Sequence, residues 1–267
     1  MLEYYRGVGA YFDLDAAQFD ARYWANPVLQ RIRQVFREEV KRQSFRTALE
    51  VGCGTGMDLA HFARIYPDRS FVGVDVSERM VDLARQRVRA AALDNARVEV
   101  ASSDDAPGRF GHRAFDLCYV FFGALNTIED MDRTADRLYD ATAPGGSLVL
   151  TFVNRWYVAD IAIGLLRGRG RSAFQRLADH WGGYSPDREL ASRCVGPAQV
   201  RRAFGRGGAL VRRRGFSIAY PAWYRSHWLA RLGRVGPLLW KLDEGLNRTP
   251  AWSLGEYALY VFRKAAR

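Results

Sequence analysis

The run Ala48-Leu49-Glu50-Val51-Gly52-Cys53-Gly54-Thr55-Gly56 does more than any other stretch to limit what this chain can fold into. It reads as a short buried strand that breaks on a glycine loop and opens into a helix. About twenty residues later, Phe71-Val72-Gly73-Val74-Asp75 reads as a second buried strand with a carboxylate at its C-terminal tip. A glycine turn between strand and helix lets the backbone approach a nucleotide-like ligand, and an acid at that offset can hold ribose hydroxyls. Together they predict a site for an adenosine-containing cofactor.

The spacing narrows the choice. A dinucleotide loop is G-x-G-x-x-G with a pyrophosphate on the helix N-terminus. Here Gly52, Gly54 and Gly56 give G-x-G-x-G, preceded by Glu50. This resembles motif I of the class I S-adenosylmethionine-dependent methyltransferases, whose cofactor carries a methionine ammonium and no phosphate. The resemblance implies that Glu50 helps neutralise that ammonium, directly or through water. It also implies a cofactor loop of Gly52, Cys53, Gly54 and Gly56, with Asp75 and Val76 beside the ribose. An acid after the third strand, Asp104 or Asp105, would meet the adenine amino group. Phe122 and Asn126, after the fourth strand Ala114 to Phe122, would line the methyl-transfer chamber. The match is firm over residues 45–153 and loose at the ends.

Strands at 48–51, 71–75, 98–100, 115–121 and 147–153 alternate with helical patterns over 58–66, 77–93 and 130–142. Ser77 suits an N-cap, and Pro144-Gly145-Gly146 is read as the stop of a helix. Short continuous apolar strands between helices predict a doubly wound parallel sheet with its ligand at the carboxyl edge. Phe216–Tyr220 is read as strand six, and Glu256–Arg263 as strand seven, the antiparallel strand of the family. The expected fold is therefore a Rossmann-like seven-stranded α/β sheet with a helical lid inserted after strands five and six. The expected divisions are an N-terminal helical cap over 1–44, a cofactor core over 45–154, and the sheet end with lid insertions over 155–267.

Charge divides along the same line. Residues 1–154 hold 19 Lys+Arg and 22 Asp+Glu, a net of −3, and residues 155–267 hold 21 and 7, a net of +14. The insertions 155–195 and 221–253 combine arginine with Trp156, Trp181, Tyr184, Trp223 and Trp228. A basic, aromatic wall suits an acceptor with an anion and an apolar body, such as a phosphorylated isoprenoid, an acyl group or a carboxylated metabolite. Tyr11, Phe19, Asn126, Trp156 and Tyr184 are the candidate acceptor contacts. Within Ala17–Tyr23, Phe19 stands where many relatives carry a tyrosine. The apolar run from Trp156 to Leu166, followed by Arg167, Arg169 and Arg171, reads as a lid helix over the active site. The other reading is a helix lying in a membrane interface.

In-line methyl transfer needs a general base only when the acceptor must lose a proton. His180 and His227, in the insertions, and Glu129 are the candidates. No G-x-S-x-G, H-E-x-x-H or CxxC pattern supports serine or metal chemistry. The cysteines at 53, 118 and 194 suggest no disulfide. No apolar run reaches membrane-spanning length, and the first residues carry no leader pattern, so a cytoplasmic protein is expected. An RNA methyltransferase could use the same core and the basic surface, although no Asn-Pro-Pro-Tyr type motif follows strand four. A protein arginine methyltransferase would need a double-Glu loop. The glycine spacing disfavours a nicotinamide-linked dehydrogenase. A non-catalytic cofactor-binding scaffold is the remaining alternative, and the intact loop and Asp75 speak against it.

Overall fold

A computed structural model describes residues 3–183 and 188–266. Helices α1 (Glu3–Trp24) and α2 (Pro27–Lys41) precede the first strand. The core then runs β1 (Thr47–Val51), α3 (Met57–Ile65), β2 (Ser70–Asp75), α4 (Glu78–Ala90), β3 (Ala96–Val100), α5 (Ala106–Phe110) and β4 (Phe115–Val120), continuing through α6 (Met131–Ala141) to β5 (Thr142–Val153). Helices α7 (Val158–Leu166), α8 (Gly170–Ala173) and α9 (Pro197–Phe204) lead to β6 (Gly208–Phe216). Helices α10 (His227–Leu232) and α11 (Val235–Leu246) lead to β7 (Tyr257–Lys264).

The strands form one seven-stranded sheet in the order β3-β2-β1-β4-β5-β7-β6. Strand β7 runs antiparallel to both neighbours, and the other pairs are parallel. Alternate side chains leave opposite faces of a strand. Ala48, Phe71, Tyr119 and Val149 therefore enter a core with α2, α3 and α4, while Leu49, Val72, Cys118 and Leu148 enter a second core with α6 and α9. Both faces are covered, which explains why these strands read as unbroken apolar runs.

Side-chain caps fix the helix starts. Asn26 accepts from the Val28 and Leu29 amides, each at 3.1 Å, ahead of Pro27. Ser77 Oγ accepts from Met80 N, and Asp130 accepts from Arg133 N. Each cap satisfies amides that the first helical turn leaves without a partner.

Three sequence expectations are corrected. Residues 217–220 are a turn and not strand six, which lies earlier at Gly208–Phe216. Asp243 of α11 accepts from the amides of Ile218, Ala219 and Tyr220, and Ser217 has φ +57°, so the chain leaves the sheet there. The true edge strand carries Arg212, Arg213 and Arg214, which are exposed or half-buried and break the apolar run that a covered strand would show. Helix α6 ends at Ala141, before Pro144-Gly145-Gly146, and β5 starts at Thr142. Strand β4 ends at Val120 rather than Phe122.

Candidate functional site

The glycine loop is tied to β2 by its own backbone. Gly52 N and Cys53 N both donate to Val74 O, at 2.8 and 3.0 Å. Gly52, Gly54 and Gly56 have φ of +69°, +53° and +73°, a region that favours glycine. A Cβ on Gly52 would stand 2.5 Å from Ala124 Cβ, and one on Gly56 would stand 2.9 Å from Ala84 Cβ. The outer two glycines thus allow close packing of the turn at Ala124–Asn126 and of α4. Gly54 is the one with room above it, where the Phe19 ring stands 3.6 Å from its ideal Cβ.

Asp75 ends β2 and is buried. Its Oδ2 accepts from Gly54 N at 2.8 Å and its Oδ1 from Ser77 N at 2.9 Å. Burial pushes its pKa up against the pull of these amides. Each carboxylate oxygen keeps acceptor capacity beyond these bonds.

A cavity of about 470 Å³ opens at this carboxyl edge. Gly52, Gly54, Asp75, Val76, Phe122 and Asn126, all expected from sequence, line it, as do Tyr11 and Phe19 from α1. Helix α1 is pinned across the opening. Ser77 Oγ and Arg79 N donate to Asp13 Oδ1 at 2.6 and 3.0 Å, and Thr55 Oγ1 donates to Asp20 Oδ1 at 2.6 Å. Gly9 abuts the carbonyl of Val76, which a Cβ would approach to 2.5 Å. Sequence reasoning missed these anchors. Their signal was available, since Gly9, Asp13 and Asp20 recur at i, i+4 and i+11 on one helical face.

Charge enters the cavity in two clusters. Arg33 is buried on α2, with its guanidinium 4.0 Å from the centre of the Tyr23 ring and 4.7 Å from that of Phe122. Its Nε lies 3.5 Å from Asp58, which also takes Arg37 at 2.6 Å. In the second cluster, Asp15 binds Arg22 at 2.6 Å and Arg188, and Arg188 also donates to the Tyr11 carbonyl at 3.2 Å. Burial works to raise the Asp15 pKa, but hydrogen bonds and charge from Arg22 and Arg188 outweigh it and hold the carboxyl below its ordinary value. Arg33, Arg188 and Asp15 were not singled out from sequence. A basic residue in the buried phase of α2, beside Ile32 and Phe36, was the usable signal for Arg33.

Other expected residues sit elsewhere. Glu50 is buried below the loop and does not line the cavity. The Tyr119 hydroxyl donates to it at 3.0 Å, and burial, with the nearby Asp58, pushes its pKa well above the ordinary range. The Cys53 side chain turns into the core beneath Gly73. Asp105 accepts from the amide and hydroxyl of Ser102, both at 2.9 Å, and closes a capping box. Asp104 accepts from Arg133 at 3.0 Å and Thr134 at 3.2 Å, so Ala101, Ser102 and Ser103 face the cavity in place of the two acids. The Asn126 amide spans Val153 and the Arg193 carbonyl, so it braces the floor with its polar atoms already bonded. Phe122, at φ +51°, presents its ring to the cavity. Glu129 pairs with Arg133 at 2.6 Å, His180 pairs with Glu189 at 2.6 Å on the surface, and His227 is exposed; none lines the cavity. Tyr184 lies outside the described residues.

The insertions contribute through Trp181, Leu190, Ser192 and Trp223, besides Arg188. Helix α7 does not, which corrects the lid-helix expectation: none of its residues is buried or lines the cavity, and Trp156 is exposed beside Gly196. Asp160, the one acid in that helix, bolts it down. It accepts from Arg176 Nε at 3.2 Å, from the Tyr224 hydroxyl at 2.6 Å and from Arg225 at 2.5 Å. Among the described residues no group of three or more His, Cys, Asp or Glu could hold a metal.

Residues 48–146 match the family described as a methyltransferase domain. The chain is 31% identical over 145 residues to a demethylmenaquinone methyltransferase of Symbiobacterium thermophilum, covering 52% of this chain and 55% of that protein. It thus spans about half the length of the curated relatives it matches. Among solved structures, the [4+2]-cyclase SpnF superposes with a TM-score of 0.65 at 19% identity, covering 98% of this chain and 96% of that one. A geranyl diphosphate C-methyltransferase from Streptomyces coelicolor A3(2), in complex with Mg2+, geranyl diphosphate and S-adenosyl-L-homocysteine, gives 0.62 at 13% identity, with 100% and 99% covered. At such identities the superpositions establish the fold alone. The methyltransferase-domain match over residues 48–146 contains both the glycine loop and the Asp75 tip, and over this stretch the chain is similar to S-adenosylmethionine-dependent methyltransferases.

Proposed function

We propose that this chain transfers the methyl group of S-adenosylmethionine to a small molecule that joins an apolar body to an anion. The observation that carries this reading is one cavity with two unlike walls. The glycine loop and Asp75 form one, and aromatic rings with Arg33 and Arg188 form the other. The cofactor fits the first wall. Gly54 leaves the backbone open, Asp75 can accept from ribose hydroxyls, and Val76 and Ala101–Ser103 flank the adenine position. The bound cofactor supplies an electrophilic methyl group. The residues of the chain align the acceptor and keep water out, which is where much of the rate of an in-line displacement arises. Phe122 floors the chamber, while Tyr11 and Phe19 of α1 cover it.

The second wall selects the acceptor. Arginine forks hold phosphate or carboxylate, and aromatic faces bury the remainder. The geranyl diphosphate that names one structural neighbour is such a molecule, an apolar chain bearing an anion. His180, His227 and Glu129 receive no catalytic role in this reading. The same reading gives residues 1–44 the part of a cap that also brings Arg33 to the acceptor, 45–154 that of cofactor binding and 155–267 the rest of acceptor selection. The free, buried cysteines fit a reducing cytoplasm.

Calorimetry with S-adenosylhomocysteine and a transfer assay across prenyl diphosphates, quinones and carboxylic acids test it. Asp75→Ala should weaken cofactor binding by about 1–3 kcal/mol. Arg188→Ala should raise KM for the acceptor and leave cofactor affinity unchanged. Absence of cofactor binding sinks the assignment. Transfer to neutral acceptors only, indifferent to Arg188, sinks the anionic half.

A further inference from the structure

Of the twelve large apolar side chains that stand exposed among the described residues, eight fall in two short stretches, 156–174 and 235–242. In α7, Val158, Leu165 and Leu166 share one outward face, at i, i+7 and i+8, with Leu166 87% exposed. In α11, Val235, Leu238 and Leu242 do the same at i, i+3 and i+7, opposite the buried Trp240 and Asp243. The two stretches are joined by a continuous chain of contacts. Asp160 of α7 holds Tyr224 and Arg225, which lead directly into α10, and α10 packs on α11. Scattered exposed apolar residues need no explanation, but a clustered set marks an interaction surface.

The charge around these faces indicates what covers them. Arg167, Arg169 and Arg171 follow α7, Arg231 and Arg234 precede α11, and Lys241 lies within it. All six are exposed and make no ion pair among the described residues. Trp156 and Phe174 stand exposed at the two ends of the α7–α8 hairpin. Outward leucines bordered by arginine, with exposed aromatic rings at the edge, are the composition of a segment that lies in a bilayer interface. A second copy of the chain fits less well, because a symmetric contact would set this basic rim against itself.

We propose that α7, α8, α10 and α11 form a face that docks on an anionic lipid surface, with the leucines entering the acyl boundary and the arginines meeting lipid phosphates. Among the described residues no helix is long and apolar enough to cross a membrane, so the association is peripheral. The docking face adjoins the segment that carries Trp223 to the cavity rim. The proposal does not depend on which acceptor is methylated.

Co-sedimentation of the full chain with vesicles tests it. The chain should bind vesicles containing phosphatidylglycerol, bind phosphatidylcholine vesicles far less, and release at high salt. The triple variant Arg167→Ala, Arg169→Ala, Arg171→Ala should weaken binding on the order of a hundredfold. Leu166→Ser with Leu238→Ser should weaken it at every salt concentration. Cofactor affinity measured on each variant confirms that it is folded and should not change. No binding to anionic vesicles overturns the proposal. So does a concentration-dependent dimer that the leucine variant abolishes, or binding of single-stranded RNA through the three arginines without vesicle binding.

Discussion

Residues 45–153 and the rest of the chain line one cavity by different means. On the cofactor side, position is carried by backbone. Gly52 and Cys53 hang from the Val74 carbonyl, and Asp75 is gripped by two amides. On the acceptor side, position is carried by long side chains meeting at carboxylates: Arg22 and Arg188 on Asp15 at the cavity and, behind it, Arg176, Tyr224 and Arg225 on Asp160. Backbone geometry of the first kind admits few sequences. Convergence of the second kind can be reached from many positions, so one wall is fixed and the other is free to vary with the acceptor.

The largest effect that would sharpen this contrast is expected from Gly52→Val. The new Cβ would meet Ala124 at 2.5 Å and hold a β-branched residue at φ +69°. Backbone strain of about 1–3 kcal/mol adds to overpacking of similar size. Calorimetry should show no measurable binding of S-adenosylhomocysteine, and the melting temperature should fall. A variant that binds normally would mean that the loop is held by something other than its backbone.

Next in size is Asp160→Ala, behind the other wall. It removes the carboxylate shared by the largely buried guanidinium groups of Arg176 and Arg225, while Arg176 keeps Glu256 at 3.7 Å. The cost should be about 3 kcal/mol, as when one partner of a buried ion pair is removed. Urea unfolding reads this directly. If the two walls are built independently, the affinity for S-adenosylhomocysteine measured below the transition stays near that of the wild type. A parallel loss of cofactor binding would break the comparison.

The same contrast explains what was legible beforehand. The loop, Asp75 and six of the strands were readable because glycine spacing and apolar runs are local signals. Strand β6 was not, since an edge strand bearing Arg212–Arg214 lacks the apolar run, and Phe216–Tyr220 mimics one while Asp243 draws it into a turn. The adenine acids failed for a related reason. Asp104 and Asp105 follow the right strand, but a capping box and Arg133 turn both carboxylates away. Arg33 and Arg188 reach the cavity from positions 155 residues apart, and no local pattern joins them. Helix α7 has an apolar composition, but only the fold shows its face turned outward and held by Asp160.

The smallest expected effect concerns Glu50, where the two kinds of wall meet. Its carboxyl lies in the core below the loop, and burial followed by the nearby Asp58 pushes its pKa well above the ordinary 4.5. The Tyr119 bond and the charges of Arg33 and Arg37 oppose this more weakly. The folded chain therefore holds this proton more tightly than the unfolded chain. The resulting contribution to stability is fully present below pH 4.5 and is lost as pH rises through the folded pKa. Glu50→Gln keeps the shape and the acceptor for Tyr119 and removes the titration. Wild type should thus lose stability relative to Glu50→Gln as pH climbs above 4.5, by up to about 1.4 kcal/mol per pH unit. Paired urea titrations at several pH values measure the difference. A flat difference would place an ionised Glu50 under the loop, already matched by Arg33 and Arg37. The charge of the acceptor wall would then extend beneath the cofactor, and the two walls would be one electrostatic unit.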